Sequence, residues 1–165
     1  MTKIFTPLKA AALATLLAAA PAFASDEVIA ESGLTLAQEK QMAKDVLTLA
    51  FSPELTLEEK TARLPEIINK DKYIQHNPMA DDGLDRLLGF IAYVDAEFGA
   101  VELSIKRVIG EGNLVAVHSH YKFGPKDERG NAIVDIFRFE DGHIVEHWDV
   151  IQPIPAESQN PNTMF

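Results

Sequence analysis

Apolar residues recur at helical spacing in the first part of the chain and alternate with polar ones in the last part. The change of period falls near residue 100. Leu36, Met42, Ala43, Val46, Leu47 and Ala50 form one stripe, opened by Thr35-Leu36-Ala37-Gln38 with the spacing of a capping box. This predicts a helix to about Phe51. Thr56-Leu57-Glu58-Glu59 repeats that spacing for a second helix, which Pro65 interrupts or restarts. Leu84, Leu87, Leu88, Ile91, Val94 and Phe98 predict a third helix from about Gly83 to Phe98. Between the second and third, Tyr73-Ile74-Gln75-His76-Asn77-Pro78 is expected to be extended, because the residue before a proline avoids the helical region.

From residue 101 onward the pattern is strand: roughly Val101 to Ile109, Asn113 to Phe123, Asn131 to Glu140 and His143 to Gln152. Gly110-Glu111-Gly112 and the run from Gly124 to Gly130 supply the breaks. The last two strands form a hairpin around Asp141-Gly142, a dipeptide that tolerates the positive φ angles of a tight turn. Helices first and antiparallel strands later make the fold class α+β, with about three N-terminal helices on one side of a curved antiparallel sheet.

Alternation assigns faces. Asp135, Phe137 and Phe139 share one face of their strand, and His147, Asp149 and Ile151 share one face of the next. Each strand therefore mixes titratable and apolar side chains on a single face. On the strand from Asn113, Leu114, Ala116, His118, His120 and Lys122 lie opposite Val115, Val117, Ser119, Tyr121 and Phe123. The second set is the more apolar, so the pattern alone sends both histidines to solvent. In a strongly curved sheet the polar face can instead be the concave one while the apolar face is covered from outside. The sequence leaves both arrangements open.

Composition changes this picture in two ways. Lys3 and Lys9, the apolar run from Ala10 to Ala20, and Ala22-Phe23-Ala24 have the form of a secretory signal with cleavage after Ala24. The run is short for a membrane span. The expected organisation is a signal peptide over 1–24, one domain over 25–152 and an extended, proline-containing arm over 153–165. The expected location is the periplasm or the outside of the cell, with no membrane attachment after cleavage. The whole chain carries a net charge of −10, and loss of the two signal lysines leaves −12. Such a surface repels nucleic acid and anionic membranes, so neither is an expected partner. There is no cysteine, which excludes disulfides, thiol catalysis and thiolate-bound zinc. Phosphate loops, Gly-x-Ser-x-Gly elbows and dinucleotide-binding glycine patterns are absent too, and no cofactor is expected.

Several segments together resemble one family. Tyr73-Ile74-Gln75-His76-Asn77-Pro78, Asp82-Gly83, Val115 to His120, Asp135-Ile136-Phe137-Arg138-Phe139 and Asp141 to Gln152, with Glu146-His147-Trp148-Asp149 inside it, are similar to SnoaL-like proteins of the nuclear transport factor 2-like superfamily. That resemblance implies a cone: a strongly bent antiparallel sheet around a pocket closed by helices, a cystatin-like α+β barrel. It also implies a homodimer and a small organic ligand bearing a carbonyl group. The superfamily includes polyketide cyclases working by aldol chemistry, ketosteroid isomerases, dehydratases and non-catalytic binders, so fold does not settle function.

In the isomerases an Asp on the strand before the last hairpin donates a hydrogen bond to an enolate oxygen, and Asp135 is the matching position. Their base is an Asp before a proline, where this chain has Asn77, which cannot usefully accept a proton at neutral pH. That departure argues against steroid-type double-bond isomerisation. For the general acid/base Asp of the cyclases, Asp135 and Asp149 are the candidates.

The expected catalytic residues are thus Asp135, His147 and Asp149, a set suited to removing a proton next to a carbonyl while a second group holds the enolate. Tyr73, His76, Asn77, His118, His120, Phe137 and Ile151 are expected to contact substrate. The same polar groups could equally form a buried hydrogen-bond network with no catalytic task, and the alternative function is then a non-catalytic periplasmic small-molecule binder or a dimeric interaction module. A metal set built from His118, His120, His147, His76 and an Asp is the competing arrangement, but a His-x-His pair is a weak signal, and no metal is expected.

Overall fold

A computed structural model describes residues 29–165 of the chain. The expected signal segment, 1–24, lies outside the described residues. The elements follow the order α1 (Leu36–Phe51), α2 (Leu57–Arg63), a single 3-10 turn (Leu64–Glu66), β1 (Ile74–Gln75), α3 (Leu84–Phe98), β2 (Val101–Glu111), β3 (Leu114–Phe123), β4 (Asn131–Glu140) and β5 (His143–Pro153). Among the described residues, no helix is long and apolar enough to cross a membrane.

Local chemistry sets the boundaries. Thr35 and Thr56 each accept the backbone N–H three residues on, and Gln38 and Glu59 reach back to the cap residue, so both predicted capping boxes form. Pro65 sits in the 3-10 turn that ends α2. At the β4–β5 turn Asp141 has φ 48° and Gly142 φ 76°. These are the left-handed conformations that Asp tolerates and Gly adopts freely.

The sheet order is β1-β5-β4-β3-β2. The last four strands are antiparallel neighbours, as the sequence predicts. β1 differs: it pairs with β5 in parallel, Ile74 beside Glu146 and Gln75 beside His147. The sheet is therefore mixed, and its two ends are open rather than closed into a barrel. Parallel pairing is geometrically free here, because α3 and three strands separate β1 from β5 in the chain. Irregular register at Ile105/Arg107 and at Arg138/Phe139 introduces bulges that help bend the sheet.

The concave face carries the core. Ala43, Val46, Leu47 and Ala50 of α1 pack with Leu64, Ile68, Ile91 and inward residues of β3 to β5, among them Val115, Val117, Phe137, Phe139 and Ile144. The convex face carries an ion-pair ladder: Lys72 to Glu140, Arg138 to Glu140 and Glu146, and Glu146 to His76. Arg138 thus makes its ion pairs on the face opposite Asp135. The arm after β5 has no regular structure, and its last ring, Phe165, lies 5.4 Å from His118 and 4.7 Å from His120 by ring centroids.

One buried carboxyl couples fold to pH. Glu39 is fully buried on α1, accepts the hydroxyl of Ser32, and leaves Oε2 without a partner among the described residues. Burial raises its pKa, and the Ser32 hydrogen bond opposes that rise. The native state therefore holds this proton more tightly than the unfolded chain. Stability contributed by the protonated form is complete below the ordinary carboxylate range. It falls as pH rises from that range through the raised native value. Glu39→Gln is expected to flatten that decline, read as the urea midpoint against pH from acid to neutral.

Candidate active site

Three consecutive inward positions of β4 and three of β5 meet at one end of the concave face. Register pairs Ile133 with Ile151, Asp135 with Asp149 and Phe137 with His147. β1 lies on the other side of β5, bringing Tyr73, Gln75 and Asn77 to the same place. These three alternate in phase, which is why one face of so short a strand supplies all of them. Val46, Leu47 and Phe51 of α1, with Leu87 and Phe90 of α3, line the helix side of a cavity. It measures about 130 Å³ and is walled mostly by apolar side chains.

The polar groups converge tightly. His147 Nε2 lies 3.2 Å from Asp135 Oδ1, and the Tyr121 hydroxyl donates to Asp135 Oδ2 at 3.1 Å. His147 Nδ1 lies 3.0 Å from Gln75 Oε1, and the Phe137 ring stacks on the imidazole at 5.0 Å. Asn77 Nδ2 donates to Asp149 Oδ2 at 2.7 Å, while Asn77 Oδ1 accepts the Met79 N–H at 2.8 Å. That second bond is the Asx turn favoured by Asn before Pro78, and it fixes which end of the amide faces Asp149. Asp135 and His147 are buried, and Asp149 is half-buried.

Burial raises the pKa of Tyr73, and the nearby carboxylates of Asp135 and Asp149 add to it; a hydrogen bond with Gln75 opposes them. Burial likewise raises that of Tyr121, helped by Asp135 and then Asp149. Both phenols therefore stay protonated across the physiological range and remain donors.

One ligand-type atom from each of Asp135, His147 and Asp149 falls within 4.8 Å of the others. A single substrate atom can thus lie within hydrogen-bond reach of a carboxylate on each strand and of an imidazole. These three also offer donors of the type that hold divalent cations. In the arrangement seen, however, His147 Nε2 and Asp135 Oδ1 are engaged with each other.

The sequence profile of the SnoaL-like domain matches residues 57–147, more than half of the chain. The protein belongs to the SnoaL-like family. The match takes in α2 through His147 and so includes Asp135, while Asp149 lies two residues beyond it. No curated protein matches the chain. Solved structures share the nuclear transport factor 2-like fold at low identity. A candidate isomerase of the SnoaL-like family from Agrobacterium tumefaciens aligns with TM-score 0.58 at 14% identity over 70% of this chain and 98% of its own. A candidate SnoaL-like polyketide cyclase from Jannaschia sp. gives TM-score 0.57 at 17% identity, over 70% and 85%. A candidate ketosteroid isomerase from Kribbella flavida gives 0.52 at 19%, over 77% and 84%.

Within this SnoaL-like chain, Asp135, His147 and Asp149 line the cavity together, as do Tyr73, Asn77, Phe137 and Ile151. Three expected substrate contacts do not. His76 points to the convex face, where Nε2 meets Glu146 Oε1 at 2.8 Å and the ring stacks on Trp148 at 4.7 Å. His118 and His120 also lie on the convex side, and His120 Nε2 meets the Arg129 carbonyl at 2.7 Å. The reason is burial: β3 turns Val115, Val117, Ser119 and Tyr121 inward, all of them buried, so the alternate positions must face out. This also separates the histidines that a metal set would have needed, since only His147 faces the cavity. Gln75 and Tyr121 are cavity-lining positions that the sequence pattern does not single out. Their signal was phase alone, Gln75 between Tyr73 and Asn77, and Tyr121 in step with Val117 and Ser119.

Proposed function

We propose that this SnoaL-like protein is an enzyme performing cofactor-free acid–base chemistry on a small carbonyl compound: aldol-type cyclisation, isomerisation or dehydration. The observation that carries this reading is the convergence of Asp135, His147 and Asp149 within 4.8 Å at the wall of an apolar cavity. Buried polar groups of a purely structural network find hydrogen-bond partners within the protein. Here Asp149 has one oxygen held by Asn77, and Oδ1 has no hydrogen bond among the described residues. That free carboxylate oxygen removes the proton next to the carbonyl. The Asp135–His147 pair stands on the neighbouring strand positions to supply a proton to the carbonyl oxygen as charge develops there. The apolar walls exclude water and strengthen each of these interactions. Relatives described as cyclases and isomerases support the same class of chemistry. So does the hydrogen bond between Asn77 and Asp149, which ties the position of the isomerases' base to a carboxylate one strand away.

The signal-like segment over 1–24 supports a further part of the proposal, that the substrate is met outside the cytoplasm. Exposed Ile109, Leu114 and Val150 support a homodimer.

The test is proton exchange in heavy water. Small ketones and aldehydes incubated with the protein are expected to gain deuterium next to the carbonyl faster than in buffer, as read by NMR. A ketone that binds but returns without deuterium after long incubation would overturn catalysis and leave a small-molecule binder.

A further inference from the structure

Gln75 touches more of the site than its role as a lining residue requires. Its Oε1 accepts the Asn77 backbone N–H at 3.0 Å and also lies 3.0 Å from His147 Nδ1. A backbone N–H can only donate, so the atom facing it is the amide oxygen. An amide oxygen can only accept, so His147 Nδ1 carries a proton. A main-chain group thus decides the imidazole tautomer through one side chain. Gln75 is itself well held: its own N–H donates to Asp82 Oδ1 at 2.8 Å, and the Gly83 N–H binds the Tyr73 carbonyl at 2.8 Å. Across the ring, Nε2 faces Asp135 Oδ1, while Asp135 Oδ2 already accepts from Tyr121. With Nδ1 protonated, the contact between Nε2 and Oδ1 needs one more proton, whichever atom holds it.

We infer that Gln75 is a positioning residue that makes the His147–Asp135 pair a proton donor. Held by Gln75, the pair carries two protons, one on Nδ1 and one between Nε2 and Oδ1. Without that acceptor, the ring is free to leave Nδ1 bare and keep Nε2–H against the Asp135 carboxylate. The pair then carries one proton fewer and presents a base instead of an acid. The charged and titratable groups that line the cavity with the ring are Asp135 from β4, Asp149 from β5, Tyr121 from β3 and Tyr73 beside β1, with Asp81 in the loop before α3. α1 and α3 face the cavity with apolar side chains alone. The tautomer itself stands on hydrogen-bond geometry, and only the delivery of the proton to substrate rests on the acid–base reading above.

The experiment is nitrogen NMR of the full chain labelled at histidine, with the His147 signals identified by their loss in His147→Gln. The wild-type ring is expected to show Nδ1 protonated throughout the neutral range. Gln75→Leu is expected to move the ring to the Nε2–H form. Gln75→Glu, which still accepts, is expected to retain Nδ1–H. If the Leu variant does not fold, the Glu variant carries the test, because it keeps an acceptor facing Nδ1. A bare Nδ1 in the wild type or in the Glu variant, or a Leu variant with an unchanged ring, would overturn the inference.

Exchange assays separate this inference from the functional reading. With the wild-type tautomer as inferred but no catalysed exchange, only the enzyme reading fails; with exchange but a bare Nδ1, only the role of Gln75 fails. Where both hold, Gln75→Leu is expected to lower kcat about tenfold or more and to move the acid limb of the rate profile, with KM little changed.

Discussion

Asp149→Asn is expected to lower the rate of proton abstraction by about two to four orders of magnitude, the usual contribution of a positioned general base. The substitution preserves shape and removes the ability to take a proton. The new amide can still present an oxygen to Asn77 Nδ2, so the 2.7 Å bond that positions the side chain survives. Asp149 is only half-buried, so little packing is disturbed. The loss should therefore appear in kcat, with KM and the thermal midpoint close to wild type. That split matters, because a residue that merely shaped the pocket would raise KM instead. A variant whose kcat stays within a few-fold of wild type would remove Asp149 from the chemistry and return the base role to the Asp135–His147 pair. Measurement uses the deuterium-exchange assay on whichever ketone the wild type turns over.

The largest change in stability is expected from Asp95→Ala. Lys60 of α2 is buried, its side chain 1% exposed, and Nζ lies 2.8 Å from both carboxylate oxygens of Asp95 on α3. Two charges taken out of water gain little as a pair, but removing one leaves the other stranded at a cost of several kcal/mol. Asp95 is about one-third exposed, so solvent already screens part of the attraction. A loss of about 3 kcal/mol is expected, against a total of about 5–15 kcal/mol for a domain of this kind. Lys60→Met is the informative partner. It fills the same space without a charge and leaves Asp95 where water can reach it, so its cost should be about 1 kcal/mol or less. Urea unfolding of the two variants checks the order, and equal losses would mean that packing of the lysine stem, not the charge, holds α2 to α3. Because α3 supplies Leu87 and Phe90 to the cavity, Asp95→Ala should also weaken ligand binding.

The elements were legible because each depends on short-range chemistry. Thr35 and Thr56 begin helices by capping backbone groups three residues away, and Asp141-Gly142 turns because those residues accept positive φ. Alternation then places Asp135 with Phe137 and His147 with Asp149, and the hairpin brings both strands side by side. The core of the candidate site thus follows from the local sequence.

What the sequence left open was the arrangement across distance. The face of β3 that points inward depends on what the concave side buries, and only packing against the helices decides that Val115, Val117 and Tyr121 turn in while His118 and His120 turn out. The two-residue strand Ile74–Gln75 carries too little pattern to reveal its partner, yet its parallel pairing with β5 sets Gln75 against His147. His76 reads as a neighbour of Asn77 in a polar motif, but alternation on that strand sends it to Trp148 and Glu146 on the opposite side. Local sequence determined the helices, the hairpin and the Asp135, His147 and Asp149 face, because periodicity and turn chemistry act within a few residues. Tertiary structure alone decided which histidine enters the cavity and which amide holds it, because those contacts join residues some seventy positions apart and arise only when the strands pair.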